Sequence, residues 1–256
     1  MRIALYQMAV VPGRPDRAME KVASWLRGLE GIDIAVLPEM WNTSYELERL
    51  DELADEKGKR EMDFLKTLAM EKKIHIVGGS IAVSEESKHF NRSVIIDQRG
   101  EVVYQYDKVH LVPMLDEPRY LSAGEQFEPF ELAGEKMGVI ICYDLRFPEL
   151  MRRLALEGAE IIYVVAEWPE ERMDHFTPLL KARAIENQCY IVACNAAGEC
   201  NGTVFGGQSM IIEPTGQVLA VAGQQEETLI AEIDIERSTE VRQAIPVFES
   251  RRPELY

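Results

Sequence analysis

The sequence predicts an α/β fold of mixed β-sheets covered by helices, and three observations carry that prediction. Segments with helical apolar spacing alternate with short apolar runs, the pattern of helices layered on sheets. Several of those runs are apolar throughout, as strands buried on both faces require. Two stretches, residues 92–106 and 208–234, read as antiparallel, so the sheets are not purely parallel.

The elements follow in order. Arg2–Ala9 reads as a strand. Asp16–Leu29 reads as a helix, with Ala18, Val22, Ala23, Leu26 and Leu29 recurring on one face and Gly31 as its stop. Asp33–Leu37 is an apolar strand ended by Pro38, Glu61–Lys73 a helix and His75–Val83 a strand. Arg92–Asp97 and Glu101–Tyr106 form a hairpin around the turn Asp97-Gln98-Arg99-Gly100. Lys136–Cys142 is a strand, Pro148–Glu157 a helix, Glu160–Ala166 a strand, Asp174–Gln188 a helix with Asp174 as N-cap, and Cys189–Asn195 a strand. Gln208–Glu213, Val218–Ala222 and Thr228–Asp234 read as a β-meander. From Ser238 to Tyr256 the sequence has little periodicity and is expected to lie over another surface.

The 256 residues suit one domain, and neither a repeat nor a linker interrupts them. With 28 basic and 44 acidic residues the formal charge is −16, which disfavours nucleic acid and anionic membranes as partners. The N-terminal apolar run is short and broken by Gln7, unlike a signal peptide, and no segment reaches the length of a membrane span. Cys142, Cys189, Cys194 and Cys200 fit no common zinc spacing. A reduced, cytoplasmic protein without metal or cofactor is the expectation.

The chemistry gathers at strand ends. The apolar or strand-like runs end at Glu39, Lys108, Cys142, Glu167 and Asn195. Ligand sites in α/β sheets form outside the carboxyl ends of strands, so these five residues are candidates for one site. Cys142 has the setting of a nucleophile elbow: a strand, a sharp turn, then a helix. Backbone N–H groups at such a turn can hold an oxyanion, and a nearby lysine would favour the thiolate. Taken singly, each residue has a plainer reading: a buried core thiol, a solvated glutamate, a surface lysine. The four histidines, His75, His89, His110 and His175, leave a Cys–His arrangement open.

The segments LPEMW (37–41), YDKVHL (106–111), ICYDLRFPEL (141–150) and KARAIENQ (181–188) together resemble the nitrilase superfamily of carbon–nitrogen hydrolases, over nearly the whole chain. The resemblance implies a four-layer αββα sandwich, usually paired as a homodimer through the helices carrying LRFPEL and LLKARAIENQ, with the C-terminal tail, 238–256, at that interface. It implies Cys142 as nucleophile, Glu39 as general base, Lys108 and the Tyr143 N–H at the oxyanion, and Glu117 as a second glutamate beside them. AEWPEERMDHFTPLLKARAIENQC and IPVFESRRPELY resemble the ω-amidase branch associated with methionine salvage. That implies a small-molecule substrate, the ω-amide of a 2-oxo acid such as 2-oxoglutaramate or 2-oxosuccinamate. Arg172 is then the candidate for the substrate carboxylate, Tyr45 a second substrate-binding candidate and Trp168 a pocket wall. Relatives often carry Tyr-Asn-Thr or Tyr-Asn-Ser where this chain has Phe90-Asn91-Arg92, which leaves room for a shifted pocket. The alternatives are a hydrolase of aliphatic amides or N-carbamoyl amines, and a silent scaffold on the same fold.

Overall fold

The structure, a computed structural model, describes residues 1–255. The chain forms β1 (Arg2–Gln7), α1 (Pro15–Gly28), β2 (Ile34–Val36), α2 (Leu50–Leu53), β3 (Asp55–Glu56), α3 (Lys59–Lys72), β4 (His75–Glu85), β5 (Lys88–Ile96) and β6 (Val102–Asp107). It continues through α4 (Glu117–Tyr120), β7 (Phe130–Leu132), β8 (Glu135–Ile141), α5 (Pro148–Leu156), β9 (Ile161–Ala166), α6 (Met173–Asn187) and β10 (Tyr190–Asn195). Then come β11 (Ala197–Cys200), β12 (Thr203–Gly206), β13 (Met210–Ile212), β14 (Val218–Val221), β15 (Glu227–Glu232) and α7 (Glu236–Ala244).

Two mixed sheets stack face to face. One has the order β15-β1-β2-β4-β5-β6 with β3 added to β4; the other runs β14-β13-β10-β9-β8-β7. Alternation along β1 shows how the layers are built. Ile3 and Leu5 join Ile34, Val36 and the apolar side chains of the second sheet in one core. Ala4 and Tyr6, pointing the other way, pack with Val22 and Leu26 of α1 and Leu65 and Leu68 of α3. On the far side of the second sheet, Met151 and Leu154 of α5 and Phe176 and Leu180 of α6 complete its cover. The layers are therefore helix, sheet, sheet, helix, the αββα sandwich. Each fully buried aliphatic side chain contributes roughly 1.5–3 kcal/mol relative to exposure.

The strands that end at the candidate residues point one way. β1, β2 and β4 are parallel neighbours, and β6, two antiparallel steps from β4, runs with them. β8, β9 and β10 are mutually parallel in the second sheet. Their carboxyl ends bring Glu39, Lys108, Cys142, Glu167 and Asn195 to one edge of the sandwich.

Two expectations need correction. Residues 228–234 do not extend a meander: β13 and β14 pair with each other, but β15 crosses to the other sheet and pairs antiparallel with β1, Leu5 opposite Leu229. The crossover is pinned by side chains. Gln7 Nε2 donates to the Gly223 carbonyl at 2.8 Å, and Glu226 accepts from Ala9 N at 2.8 Å and from the Tyr6 hydroxyl at 3.1 Å. Asp174 is not an N-cap; α6 begins one residue earlier, and Asp174 sits in its first turn. The tail, expected to lie over another surface, opens as α7 and rests on its own chain. Arg242 donates to the Ala159 carbonyl at 2.9 Å, and Gln188 Nε2 donates to that of Ile245 at 2.8 Å.

Candidate active site

Cys142 sits at a strained bend. β8 stops at Ile141, and Cys142 has φ 45°, a left-handed conformation that non-glycine residues seldom adopt. A 3-10 turn, Cys142–Arg146, follows before α5. Asp144 fixes this elbow. One of its oxygens accepts from Ile141 N at 3.1 Å and from the Tyr106 hydroxyl at 2.6 Å; the other lies 2.9 Å from both His110 N and His110 Nδ1. Arg183 of α6 adds a bond of 2.8 Å to the Leu145 carbonyl. The turn leaves early N–H groups, including that of Tyr143, without intrahelical partners.

Glu39 and Lys108 are positioned by close backbone approach. Gly79 has φ +60°, and a Cβ there would lie 2.0 Å from the Pro38 carbonyl oxygen, so only glycine lets β4 pass beneath Glu39. A Cβ on Gly124 would lie 2.1 Å from the Asp107 carbonyl oxygen, next to Lys108. Glu39, Lys108 and Glu117 are each 0 % exposed. Lys108 Nζ donates to Glu39 Oε1 at 2.8 Å and to Glu117 Oε1 at 2.7 Å. Glu39 is held from three further directions: Asn91 Nδ2 at 2.8 Å, the Glu167 N–H at 2.8 Å and the Tyr45 hydroxyl at 3.0 Å. Glu117 accepts from Val112 N at 2.6 Å, and its Oε1 lies 2.7 Å from the Tyr45 hydroxyl, whose one hydrogen serves either Glu117 or Glu39. One buried cation thus serves two buried carboxyl groups.

The electrostatics follow from that count. Burial alone would lower Lys108, but Glu117, Glu39 and Cys142 outweigh it and raise its pKa well above the ordinary lysine value. Burial pushes the Glu117 carboxyl up, against the pull of Lys108 and with the repulsion of Glu39 adding. Cys142 is raised well above an ordinary thiol, first by burial, then by the charge of Glu39; Lys108 offsets this only in part. Lys108 favours the thiolate, as its charge requires, but burial and Glu39 outweigh it. Burial thus favours the neutral thiol at Cys142.

A cavity of ≈ 20 Å³, lined by Val112, Leu115, Cys142, Tyr143, Arg146, Glu167, Trp168, Pro169 and Arg172, opens at the sulfur. Trp168 forms a wall, its N–H to Asn195 Oδ1 at 2.7 Å and its Nε1 to the Arg172 carbonyl at 2.8 Å. Asn195 is therefore a strut for the Glu167–Trp168 loop. Arg172 lines the mouth and pairs with Glu171 at 3.1 Å. Tyr45 is placed among Glu39, Lys108 and Glu117, with its hydroxyl on the carboxylates. A larger concavity of ≈ 750 Å³, lined in part by Asp33, His75, Arg99 and Gly134, lies at the opposite strand ends, away from Glu39, Lys108 and Cys142.

Sequence reasoning missed Arg146, Asp144 and Asn91 as working parts. Arg146 lines the cavity with its guanidinium 4.6 Å above the Trp168 ring. Asn91 carried a signal, since its motif was noticed, but its bond to Glu39 comes from a distant strand. The histidines lie elsewhere: His75 is at the opposite strand ends, His89 faces Asp51 at 3.5 Å, His110 bonds Asp144, and His175 lies 3.4 Å from Arg146. Among the described residues none bonds to Cys142 or lines its cavity, so the Cys–His arrangement falls away.

A sulfur at an elbow, a buried glutamate and a fixed cation thus meet at one edge of the sandwich. The chain belongs to the carbon–nitrogen hydrolase family, whose pattern it matches over residues 2–243. It is 44% identical to the 2-oxoglutaramate amidase of Bacillus subtilis (strain 168), over 99% of this chain and 98% of that one. It is 30% identical to an omega-amidase of Homo sapiens, over 100% and 96%. The crystal structure of a CN-hydrolase superfamily protein from Xanthomonas campestris superposes with a TM-score of 0.92 at 28% identity, covering 98% of this chain and 97% of that one.

Proposed function

We propose that this protein is an ω-amidase, hydrolysing the terminal amide of a small 2-oxo dicarboxylic acid, 2-oxoglutaramate or 2-oxosuccinamate, to the dicarboxylate and ammonia. The observation that carries the reading is Lys108 bridging Glu39 and Glu117 beside Cys142. Glu39 takes the Cys142 proton as the sulfur bonds to the amide carbon, and the carbonyl electron pair moves onto oxygen. That oxyanion is held by Lys108 and the Tyr143 N–H. Collapse breaks the C–N bond as Glu39 returns the proton to nitrogen, releasing ammonia and leaving a thioester. Water then attacks, Glu39 takes its proton, and the C–S bond breaks as the sulfur is reprotonated. A preorganised oxyanion donor supplies roughly 2.7–4 kcal/mol. Glu117 holds Lys108 in place.

Arg172, with Arg146 across the mouth, suits the substrate carboxylate in a protein whose formal charge is −16. Trp168 walls the chain of the substrate, and Tyr45 orders the two carboxyl groups. A cavity of ≈ 20 Å³ holds about one water, so Leu115, Arg146 and Arg172, all partly exposed, must swing for substrate to enter. The reading includes a single domain acting in the cytoplasm as a homodimer. Leu156 of α5 and Ile185 of α6 are exposed apolar residues on the proposed dimer face, and Ile245 in the tail adds to them.

Ammonia release from a panel of ω-amides, short aliphatic amides, N-carbamoyl amines and nitriles tests the reading. The 2-oxo ω-amide should turn over best, and Cys142→Ala should abolish it. Turnover confined to aliphatic amides or N-carbamoyl amines would move the protein to that substrate class. No turnover of any amide, with Cys142 unlabelled by a thiol-reactive amide analogue, would leave a binding protein.

A further inference from the structure

Glu167 is a buried acid that the mechanism above does not use. It follows the last residue of β9, is 1 % exposed and lines the cavity beside Cys142. Its backbone N–H holds Glu39, which leaves the side chain free for other work. Of its two carboxyl oxygens, Oε2 accepts from the Ser44 hydroxyl at 3.1 Å, while Oε1 is buried and has no partner among the described residues. An orphan carboxyl oxygen in a dry site is costly unless something fills its valence.

We propose that Glu167, as a neutral acid, donates a hydrogen bond from Oε1 to the 2-oxo oxygen of the substrate and so selects 2-oxo amides over plain ones. Ser44 Oγ lies 3.1 Å from Oε2, and with that hydroxyl donating, the acid hydrogen falls on the unpartnered Oε1. Burial supports the neutral form, and the charge of Glu39 adds to it, raising the carboxyl well above its ordinary range. The other substrate acceptors are already matched. The amide oxygen goes to Lys108 and Tyr143, and the carboxylate to the guanidinium groups at the mouth. A ketone oxygen accepts only, and a neutral acid that donates is its complement. Ionised, Glu167 would repel both the oxo oxygen and the carboxylate next to it.

This inference rests on the ω-amidase reading, and its test separates the two. Wild-type kcat/KM is measured for 2-oxoglutaramate and for glutaric acid monoamide, which lacks only the oxo group. The wild type should prefer the oxo amide at least 10-fold. Glu167→Leu should lose about 10- to 100-fold on the oxo amide and little on the plain amide, the scale of one lost donor facing a buried acceptor. Glu167→Gln keeps an N–H donor and should hold the preference within about 3-fold of wild type, on the standing scatter of such contributions. The ratio of substrates is independent of how much of a variant folds. If Glu167→Leu yields no soluble protein, the wild-type preference and the Gln variant still decide. A wild type that turns over both amides equally overturns the inference and leaves the ω-amidase intact. So does a Gln variant that loses the preference. Turnover of neither amide refutes the reading beneath it.

Discussion

Removing Lys108 should expose the charge arrangement of the site more sharply than any other change. In Lys108→Met, Glu39 and Glu117 lose a cation that lies 2.8 and 2.7 Å from them, while both stay fully buried. Two oxygens so close to one nitrogen are about 4–5 Å apart, and two carboxylates at that spacing repel by about 4 kcal/mol at an effective dielectric near 20. Breaking a buried pair by deleting one partner costs about 3–5 kcal/mol, so the estimates agree. In a chain of 256 residues this lowers Tm by roughly 6–20 °C. Activity should fall by about 10²–10³ or more through the lost oxyanion donor. The distinctive outcome is rescue. Lys108→Met/Glu117→Gln removes one of the two stranded charges and should regain about half of the lost stability while staying inactive. The penalty also depends on pH. Without the lysine one carboxyl has a folded pKa raised above its unfolded value, so stability returns as pH falls through that folded value and is least in alkali. Thermal melts across pH, paired with ammonia release, measure all of this. A single variant that melts within about 2 °C of the parent, or a double variant no better than the single, would refute the account.

Three further outcomes follow. Gly79→Ala puts a Cβ 2.0 Å from the Pro38 carbonyl oxygen at φ +60°, so it should cost at least about 1–3 kcal/mol and reduce kcat by moving Glu39; an unchanged kcat would show that Glu39 does not depend on this contact. Asp144→Ala removes four contacts at the elbow and leaves the Tyr106 hydroxyl without its acceptor, and should lower Tm and slow Cys142 alkylation by an amide analogue, read by mass spectrometry. Glu167→Gln should flatten the pH dependence of stability. The raised Glu167 carboxyl contributes stability below its unfolded pKa of about 4.3 and loses it as pH rises through the folded value, whereas the amide has no proton to lose. Identical Tm–pH curves for parent and variant would count against a neutral Glu167.

The site was legible in the sequence where one residue at the end of an apolar run carries the chemistry. Glu39, Lys108 and Cys142 each break such a run, and parallel strand direction then brings them to one edge. Asp144 and Asn91 were not legible as site parts, because their roles lie in bonds to residues far along the chain, Tyr106 and Glu39. Arg146 was hidden inside a motif already assigned to a helix entry. The hairpin of β11 and β12 lacks strong alternation, with Gly198 and Gly202 diluting the pattern. β15 was recognised as a strand but placed in the wrong sheet. Its own residues do not say which edge it joins; Gln7 and Glu226, some 220 positions apart, decide that.

The pairing of β1 with β15 has a consequence for how the molecule is made. Arg2 lies opposite Glu232. At about 5–20 residues per second, β1 leaves the ribosome roughly 10–45 s before its neighbour. Throughout that time the outer edge of β1, Ile3-Ala4-Leu5-Tyr6, offers open hydrogen-bonding groups on an apolar strand. Contacts of such long sequence separation form slowly once synthesis ends. The yield of active protein should therefore depend on what shields that edge during translation, a dependence that the stability of the finished sandwich does not reveal.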